Sequence, residues 1–183
     1  PVKQKQHRQL FQWTPYFRSH NMCWENPETG EYDCFTRTAD RFAYHTAMAP
    51  ALTDMLRFDA SEEDYALARA MRKLWHKAAE MMLDGDYYPL TACRKSKDDY
   101  YAMQFHNPDT DSGFFQIVRN PGVTEPAFFV QLQGLRKHAV YLLTNGETGE
   151  EQTFDGEVLC QGIPFSMEPR SGAIWFYKGS LVK

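Results

Sequence analysis

Apolar residues recur with a helical period over residues 61–83, near the middle of the chain. Ser61 and Asp64 open this segment in the arrangement of a capping box. The apolar positions that follow are spaced by three and four residues, at Leu67, Met71, Leu74, Ala78 and Met81. Trp75 and Met82 widen the stripe and Gly85 ends it. The pattern predicts one long helix that covers a large apolar surface.

Upstream of this helix the pattern is mixed. Residues 10–13 are predicted as a short buried strand, residues 40–48 as a helix that ends at Pro50, and residues 52–58 as a second strand. Strand, loop, helix, strand and long helix is the order of an α/β unit. Two strands cannot close a barrel, so if these are barrel strands, the other six lie outside this chain.

Beyond Gly85 short runs rich in Phe, Tyr, Val and Ile alternate with turn residues. The runs are residues 100–106, 114–119, 127–133, 140–144 and 173–177. Turn sequences such as Asn-Pro-Asp at 107–109 and Asn-Gly at 145–146 separate them. They predict an antiparallel β-sandwich of about seven or eight strands that needs no upstream partner. The fold class is therefore α+β, with residues 1–85 as a barrel remnant and residues 86–183 as an all-β sandwich.

Composition excludes several classes of partner. The net charge of -4 and the lack of long basic runs argue against nucleic acid and anionic membranes. No run approaches the roughly 20 apolar residues of a membrane-spanning helix, and the first residues do not resemble a signal peptide, so we expect a cytoplasmic location. The four cysteines form no metal-type spacing, and no cofactor is expected. Cys23 and Cys34 flank a turn, but scattered thiols of this kind usually stay reduced in cytosolic proteins.

Several segments, taken in order, resemble one known family. They are Gly-Asp-Tyr-Tyr-Pro-Leu-Thr at 85–91, Tyr-Ala-Met-Gln-Phe-His-Asn-Pro-Asp at 101–109 and Pro-Arg-Ser-Gly-Ala at 169–173. Together they resemble the C-terminal end of the alpha-galactosidase-like glycoside hydrolases of family thirty-six and their relatives, and the resemblance covers most of the chain. It implies a retaining catalytic barrel whose nucleophile and acid/base aspartates precede the matched stretch.

The same resemblance makes residues 13–24 the seventh barrel strand and its following loop, where barrel enzymes build their active sites. Sugars are bound by aromatic planes and planar polar groups. The candidate sugar-binding residues are Trp13, Arg18, His20, Asn21 and Trp24. The alternative is that the tryptophans pack in the core and the arginine is solvated.

No catalytic carboxylate pair can be placed in the chain. Glu25, Glu28, Glu31 and Asp33 surround a turn signal, where acids normally face solvent. Asp54 and Asp59 lie near a predicted strand, and a surface or capping role is the simpler assignment for them. No nucleophile elbow, phosphate-binding loop or zinc-protease motif is present.

Three functions remain open. The first is the C-terminal part of a retaining glycoside hydrolase acting on alpha-galactosides or similar glycosides, inactive by itself. The others are a non-catalytic carbohydrate-binding module and a structural or oligomerisation domain. The barrel-like first half favours the first, whose partners would be carbohydrate through the parent enzyme and the missing barrel portion. An uncovered barrel face also predicts a homo-oligomer.

Overall fold

The computed structural model of the chain describes residues 2–14, 16–21, 24–25, 32–33, 39–54, 56, 58–92 and 98–181. Its helices are α1 (Val2–Trp13), α2 (Arg41–Thr46), α3 (Glu62–Asp84) and α4 (Gly156–Gln161). The first four strands are β1 (Arg18–His20), β2 (Trp24–Glu25), β3 (Tyr32–Asp33) and β4 (Ala51–Thr53). The others are β5 (Asp86–Pro89), β6 (Tyr100–Asn107), β7 (Ser112–Arg119), β8 (Ala127–Val130), β9 (Ala139–Asn145), β10 (Glu151–Asp155), β11 (Ile163–Ser166) and β12 (Ser171–Leu181). The predicted α+β class is confirmed.

The first half contains a parallel pair of strands. β1 and β4 run side by side in the same direction, with Arg18 opposite Ala51 and His20 opposite Thr53. Parallel neighbours need a crossover connection, and the segment between them contains α2. The predicted strand at residues 52–58 is shorter in the structure: it covers Ala51–Thr53, and Phe58 stands in a turn with 92% of its surface exposed.

The predicted strand at residues 10–13 is wrong, because these residues form the last turn of α1. The buried face of this helix carries Gln4, His7 and Phe11, at steps of three and four. Two of these residues are polar, so the helical period is hidden in a hydrophobicity pattern. Trp13, which suggested a buried strand, is 85% exposed.

The long helix α3 begins and ends as its sequence predicts. The Ser61 hydroxyl accepts a hydrogen bond from the Asp64 backbone N–H at 3.1 Å, and the Asp64 carboxylate accepts one from the Ser61 N–H at 3.3 Å. This is the reciprocal capping box. At the other end the Gly85 N–H donates to the Met81 carbonyl at 2.9 Å.

The second half is built on a six-stranded antiparallel sheet with the strand order β10-β9-β12-β7-β6-β5. A smaller antiparallel pair, β8 with β11, packs with α4 over one face of this sheet. Between residues 86 and 181, leaving aside 93–97, the described chain thus has eight strands in two sheets. Strand predictions for residues 100–106, 114–119, 140–144 and 173–177 are confirmed, while the run predicted at 127–133 ends at Val130.

The other face of the six-stranded sheet is covered by the first half of the chain. Side chains alternate along β7, so that Phe114 points to the helices while Phe115 points to the small sheet. Met71 and Leu74 of α3 share one core cluster with Phe114. The division at residue 85 and the independent folding of the β-rich half stay predictions. In the structure the helix-facing side of the sheet is apolar and is covered by residues that precede Gly85.

Candidate functional site

Two polar side chains meet where the parallel strands end. Asn21 directly follows β1 and Asp54 directly follows β4, so both lie at the carboxyl edge of the pair. The backbone N–H of Asn21 donates to the Thr53 carbonyl at 3.2 Å, which extends the pairing by one step. The Asn21 side-chain amide then donates to one carboxylate oxygen of Asp54 at 2.8 Å. This edge is where enzymes built on parallel strands place their functional groups.

A tyrosine on α2 holds the second oxygen of the same carboxylate. The Tyr44 hydroxyl donates to Asp54 Oδ2 at 2.6 Å, and Tyr44 is 1% exposed. Burial, followed by the hydrogen bond to Asp54, raises the pKa of Tyr44 well above its ordinary value, so the phenol keeps its proton and acts as a donor. Asp54 is therefore oriented from both sides. Each carboxylate oxygen retains a lone pair for a ligand hydroxyl.

A cleft of about 600 Å³ extends from Asp54 along β4. One wall consists of the consecutive residues 50–54, and the opposite wall consists of Arg72, Trp75 and His76 of α3. Tyr16 and Arg18 complete it. Successive side chains of a strand point to opposite faces, so a wall of consecutive residues marks an open strand edge. We call this feature the strand-edge cleft.

α3 is anchored beside the strand-edge cleft by one of the residues that line it. The indole N–H of Trp75 donates to the Ala49 carbonyl at 2.9 Å, just before β4 begins. Among the described residues of the lining, Asp54 is the only carboxylate, whereas Arg18 and Arg72 are cationic. The cleft therefore offers one oriented acceptor and two charged donors.

Three of the five predicted sugar-binding residues lie together on or just after β1. Arg18 is exposed and lines the strand-edge cleft, while Asn21 is buried against Asp54. His20 is exposed between them, and its carbonyl accepts a hydrogen bond from Lys3 at 2.5 Å. A role for these side chains in sugar binding stays a prediction.

Neither of the two tryptophans predicted to bind sugar is among the described residues that line the strand-edge cleft. Trp13 ends α1 and does not line the cleft. The backbone of Trp24 pairs with that of Asp33 in a short antiparallel pair of strands, but the side chain of Trp24 lies outside the described part of the structure. The suggested meeting of Cys23 and Cys34 also falls outside the described residues.

The sequence-based reasoning missed Tyr44 and Asp54, the two residues that complete the cluster with Asn21. Asp54 was assigned a surface or capping role, but its carboxylate is held by two side chains at a strand terminus. The available signal was that Asp54 belongs to the second predicted strand of an α/β unit, but that strand was predicted to run on to residue 58, which hid the position of Asp54 at its end. Tyr44 offered no comparable signal, because an aromatic residue on a helix usually indicates core packing.

The six-stranded sheet holds α2, and with it Tyr44, in place. His45, the next residue, is 1% exposed and its Nε2 lies 2.7 Å from a carboxylate oxygen of Glu147, in the turn after β9. The side-chain amide of Gln116 on β7 donates to the His45 carbonyl at 2.8 Å. Burial, helped by nearby Arg41, lowers the pKa of His45 to about 4. The imidazole is therefore neutral near pH 7 and donates Nε2–H to Glu147.

Two ion pairs lie around this contact between α2 and the sheet. Arg41 pairs with Glu147, and Arg170 pairs with both carboxylate oxygens of Asp40, the N-cap residue of α2. The Arg170 guanidinium also lies over the ring of Phe42, 4.9 Å from its centroid. Exposed pairs of this kind each contribute about 0–1 kcal/mol, so the buried His45 contact is the principal polar anchor.

Within the ranges that the structure describes, His, Cys, Asp and Glu form no group of three or more that could hold a metal ion. The helices of the described chain also include none with the length and apolarity required to cross a bilayer.

The sequence of the chain matches no family model, and no curated protein is similar to it in sequence. Solved structures are similar in fold. The galactosidase domain of the alpha-galactosidase-sucrose kinase AgaSK matches 88% of the chain with a TM-score of 0.65 and 20% identity. The GH36 alpha-galactosidase AgaA from Geobacillus stearothermophilus, in complex with stachyose, matches 88% with a TM-score of 0.67 and 16% identity. AgaB from the same organism matches 88% with a TM-score of 0.65 and 15% identity.

The expected resemblance to the C-terminal part of alpha-galactosidase-like glycoside hydrolases is thereby confirmed for the fold. The chain spans only 22% of the AgaSK structure and 21% of the AgaA structure. This share is consistent with a C-terminal fragment of such a protein.

Proposed function

We propose that this chain is the C-terminal part of a retaining glycoside hydrolase that acts on alpha-galactosides or similar glycosides. The observation that supports this most directly is the cluster of Asn21, Asp54 and Tyr44 at the carboxyl ends of two parallel strands. An oriented carboxylate at this edge fits the recognition of a sugar hydroxyl. The fold that carries it is shared with structures that are alpha-galactosidases.

In this proposal the chain binds and orients substrate and does not perform the chemistry. Retention needs two carboxyl groups about 5 to 5.5 Å apart. The described lining of the strand-edge cleft offers Asp54 alone, and both of its oxygens already accept hydrogen bonds. The catalytic aspartates then belong to the part of the barrel that precedes this chain. Arg18, which lines the cleft, is the proposed donor to substrate hydroxyls, with His20, Trp13 and Trp24 as further candidates.

The missing barrel portion is the proposed partner of the strand-edge cleft. The open edge of β4 faces α3 across the cleft, which leaves room for one further parallel strand. Tyr16 and Phe58 are 63% and 92% exposed. Without a barrel partner these surfaces would associate with a second copy of the chain, giving a homo-oligomer. A cytoplasmic location is part of the same proposal, and Cys160 remains a free thiol.

The natural polypeptide provides the test. An antibody raised against the 183-residue chain would isolate the protein from its source, and its mass and its hydrolysis of aryl alpha-galactosides would be measured. We expect a much larger active polypeptide, while the purified 183-residue chain is inactive. A natural product of 21.3 kDa with no associated barrel protein would refute the proposal.

A further inference from the structure

A second cleft lies on the β-rich half of the molecule and shares no residue with the strand-edge cleft. Its volume is about 360 Å³. It is formed by the chain that leaves β5, the beginning of β6 and the strand β8. The lining consists of Leu90, Thr91, Ala92, Asp98, Asp99, Tyr100, Glu125, Ala127, Phe128 and Phe129. We call it the sheet cleft.

The lining of the sheet cleft has aromatic rings beside a carboxylate rim. Tyr100 and Phe128 are half-buried and lie against each other, with ring centroids 5.1 Å apart. Phe129 leaves 66% of its surface exposed, which is unusual for a phenylalanine that lines a cleft. Two of the three acids, Asp98 and Glu125, are exposed. No lysine or arginine is among the described lining residues.

Hydrogen bonds hold the walls of the sheet cleft before any ligand arrives. The Tyr100 hydroxyl donates to the Glu125 carbonyl at 2.8 Å, which joins two sides of the cleft. The Asn120 amide donates to the Asp99 carbonyl at 2.7 Å. The Thr91 hydroxyl accepts from the Ala102 N–H at 3.1 Å and so fixes the third side to β6. A site whose walls are already ordered loses little conformational entropy on binding.

We propose that the sheet cleft binds a neutral sugar. One face of a pyranose ring presents C–H groups, which match the negative face of an aromatic ring, while its edge carries hydroxyl donors. In the cleft the aromatic surface of Phe128, Phe129 and Tyr100 receives the C–H face. The carboxylates of Asp98 and Glu125 accept hydrogen bonds from the hydroxyls, and an ionised carboxylate only accepts.

This site is independent of the proposed hydrolase function. It shares no residue with the strand-edge cleft, and its described walls all lie between residues 90 and 129, so it needs no barrel partner. Binding at the sheet cleft is measured without hydrolysis, so either proposal can fail while the other stands.

Saturation-transfer NMR on the full chain, titrated with galactose and with stachyose, tests the inference. We expect saturable binding that persists at about 1 M salt, where the Debye length falls to about 3 Å. Phe129→Ala should weaken binding about tenfold, the equivalent of one lost aromatic contact together with its buried area. Glu125→Gln should weaken it about fivefold, because a neutral acceptor forms the weaker hydrogen bond. Phe58→Ala removes a ring that is more exposed than Phe129, 92% against 66%, and lies outside the cleft, so it should change nothing.

Several outcomes would overturn the inference. One is the absence of saturable binding of both sugars to the unmodified chain. Binding that is lost at high salt, or that occurs only with an amine such as galactosamine, would make this a cation site. Equal effects of Phe129→Ala and Phe58→Ala would place the bound sugar elsewhere. Because Phe129 is exposed, its truncation should leave the chain folded, which circular dichroism verifies.

Discussion

Replacing Gly172 by alanine should disrupt the packing of α2 against the six-stranded sheet. A Cβ atom at this position would lie 2.4 Å from Cγ and 2.6 Å from Cβ of His45. The imidazole cannot simply turn away, because its side chain is fully buried and its Nε2 is bonded to Glu147. Overpacking costs about 1–3 kcal/mol, and a displaced hydrogen bond to a charged group costs about 1.5–3 kcal/mol. Alanine is favoured over glycine in a strand by about 0.5–1 kcal/mol, so we expect a net loss of about 3 kcal/mol.

A double-mutant cycle shows whether this loss arises from His45. Urea unfolding of the four proteins, followed by circular dichroism, gives the unfolding free energies. In a His45→Gly background all the contacted side-chain atoms, including Cβ, are gone, and Gly172→Ala should cost less than about 0.5 kcal/mol. Gly149→Ala is the control: its added Cβ meets nothing within 4 Å, so its cost, about 1 kcal/mol from a positive φ of 73°, should be equal in both backgrounds. Equal costs of Gly172→Ala in the two backgrounds would refute the packing described for α2.

Three further results are expected. Burial lowers the pKa values of His7 and His45 from 6.5 to about 4 in the folded chain. Below pH 6.5 the unfolded chain therefore takes up protons that the folded chain does not, and the unfolding free energy, which is highest above pH 6.5, falls as the pH falls toward 4. Urea melts should show the unfolding free energy falling by about 3 kcal/mol per histidine over this pH range. The His45→Ala variant should lack the part of this pH dependence that comes from His45. Tyr44→Phe should lower the unfolding free energy by about 1.5–3 kcal/mol, because Asp54 loses a charge-assisted bond; an unchanged melt would argue against that contact. Residues 86–183 alone should bind hydrophobic dyes and melt without cooperativity, since the side of the sheet that α3 covers is then exposed; a cooperative, dye-free melt would contradict the shared core.

Local signals predicted the elements whose stabilising contacts are local. The capping box at Ser61 and the spacing of Met71, Leu74 and Ala78 defined α3, and all three apolar residues are buried. Strands β6, β7, β9 and β12 were likewise recognisable from their apolar runs and the turns between them. In each case the residues that decide the element lie within it or beside it in the chain.

The elements that were missed depend on distant partners. The buried face of α1 carries Gln4, whose side-chain amide exchanges hydrogen bonds of 3.0 and 3.1 Å with Asn120. A pattern that counts apolar residues reads such a position as exposed. The role of Asp54 was missed for the same reason, because its partners are distant in the sequence. They are Asn21, which the parallel pairing of β1 and β4 brings beside it, and Tyr44 of α2. Neither partner is visible in the sequence around Asp54.

The contact between α2 and the six-stranded sheet links the β-rich half to the strand-edge cleft. Adjacent residues on a helix point about 100° apart, so Tyr44 and His45 reach different neighbours. His45 is fixed to β7 and to the turn after β9, whereas Tyr44 reaches the carboxylate at the end of β4. A shift of α2 on the sheet would therefore move the hydroxyl that orients Asp54. Hydrogen bonds weaken steeply with misalignment, so the sheet controls the geometry of the strand-edge cleft without lining it.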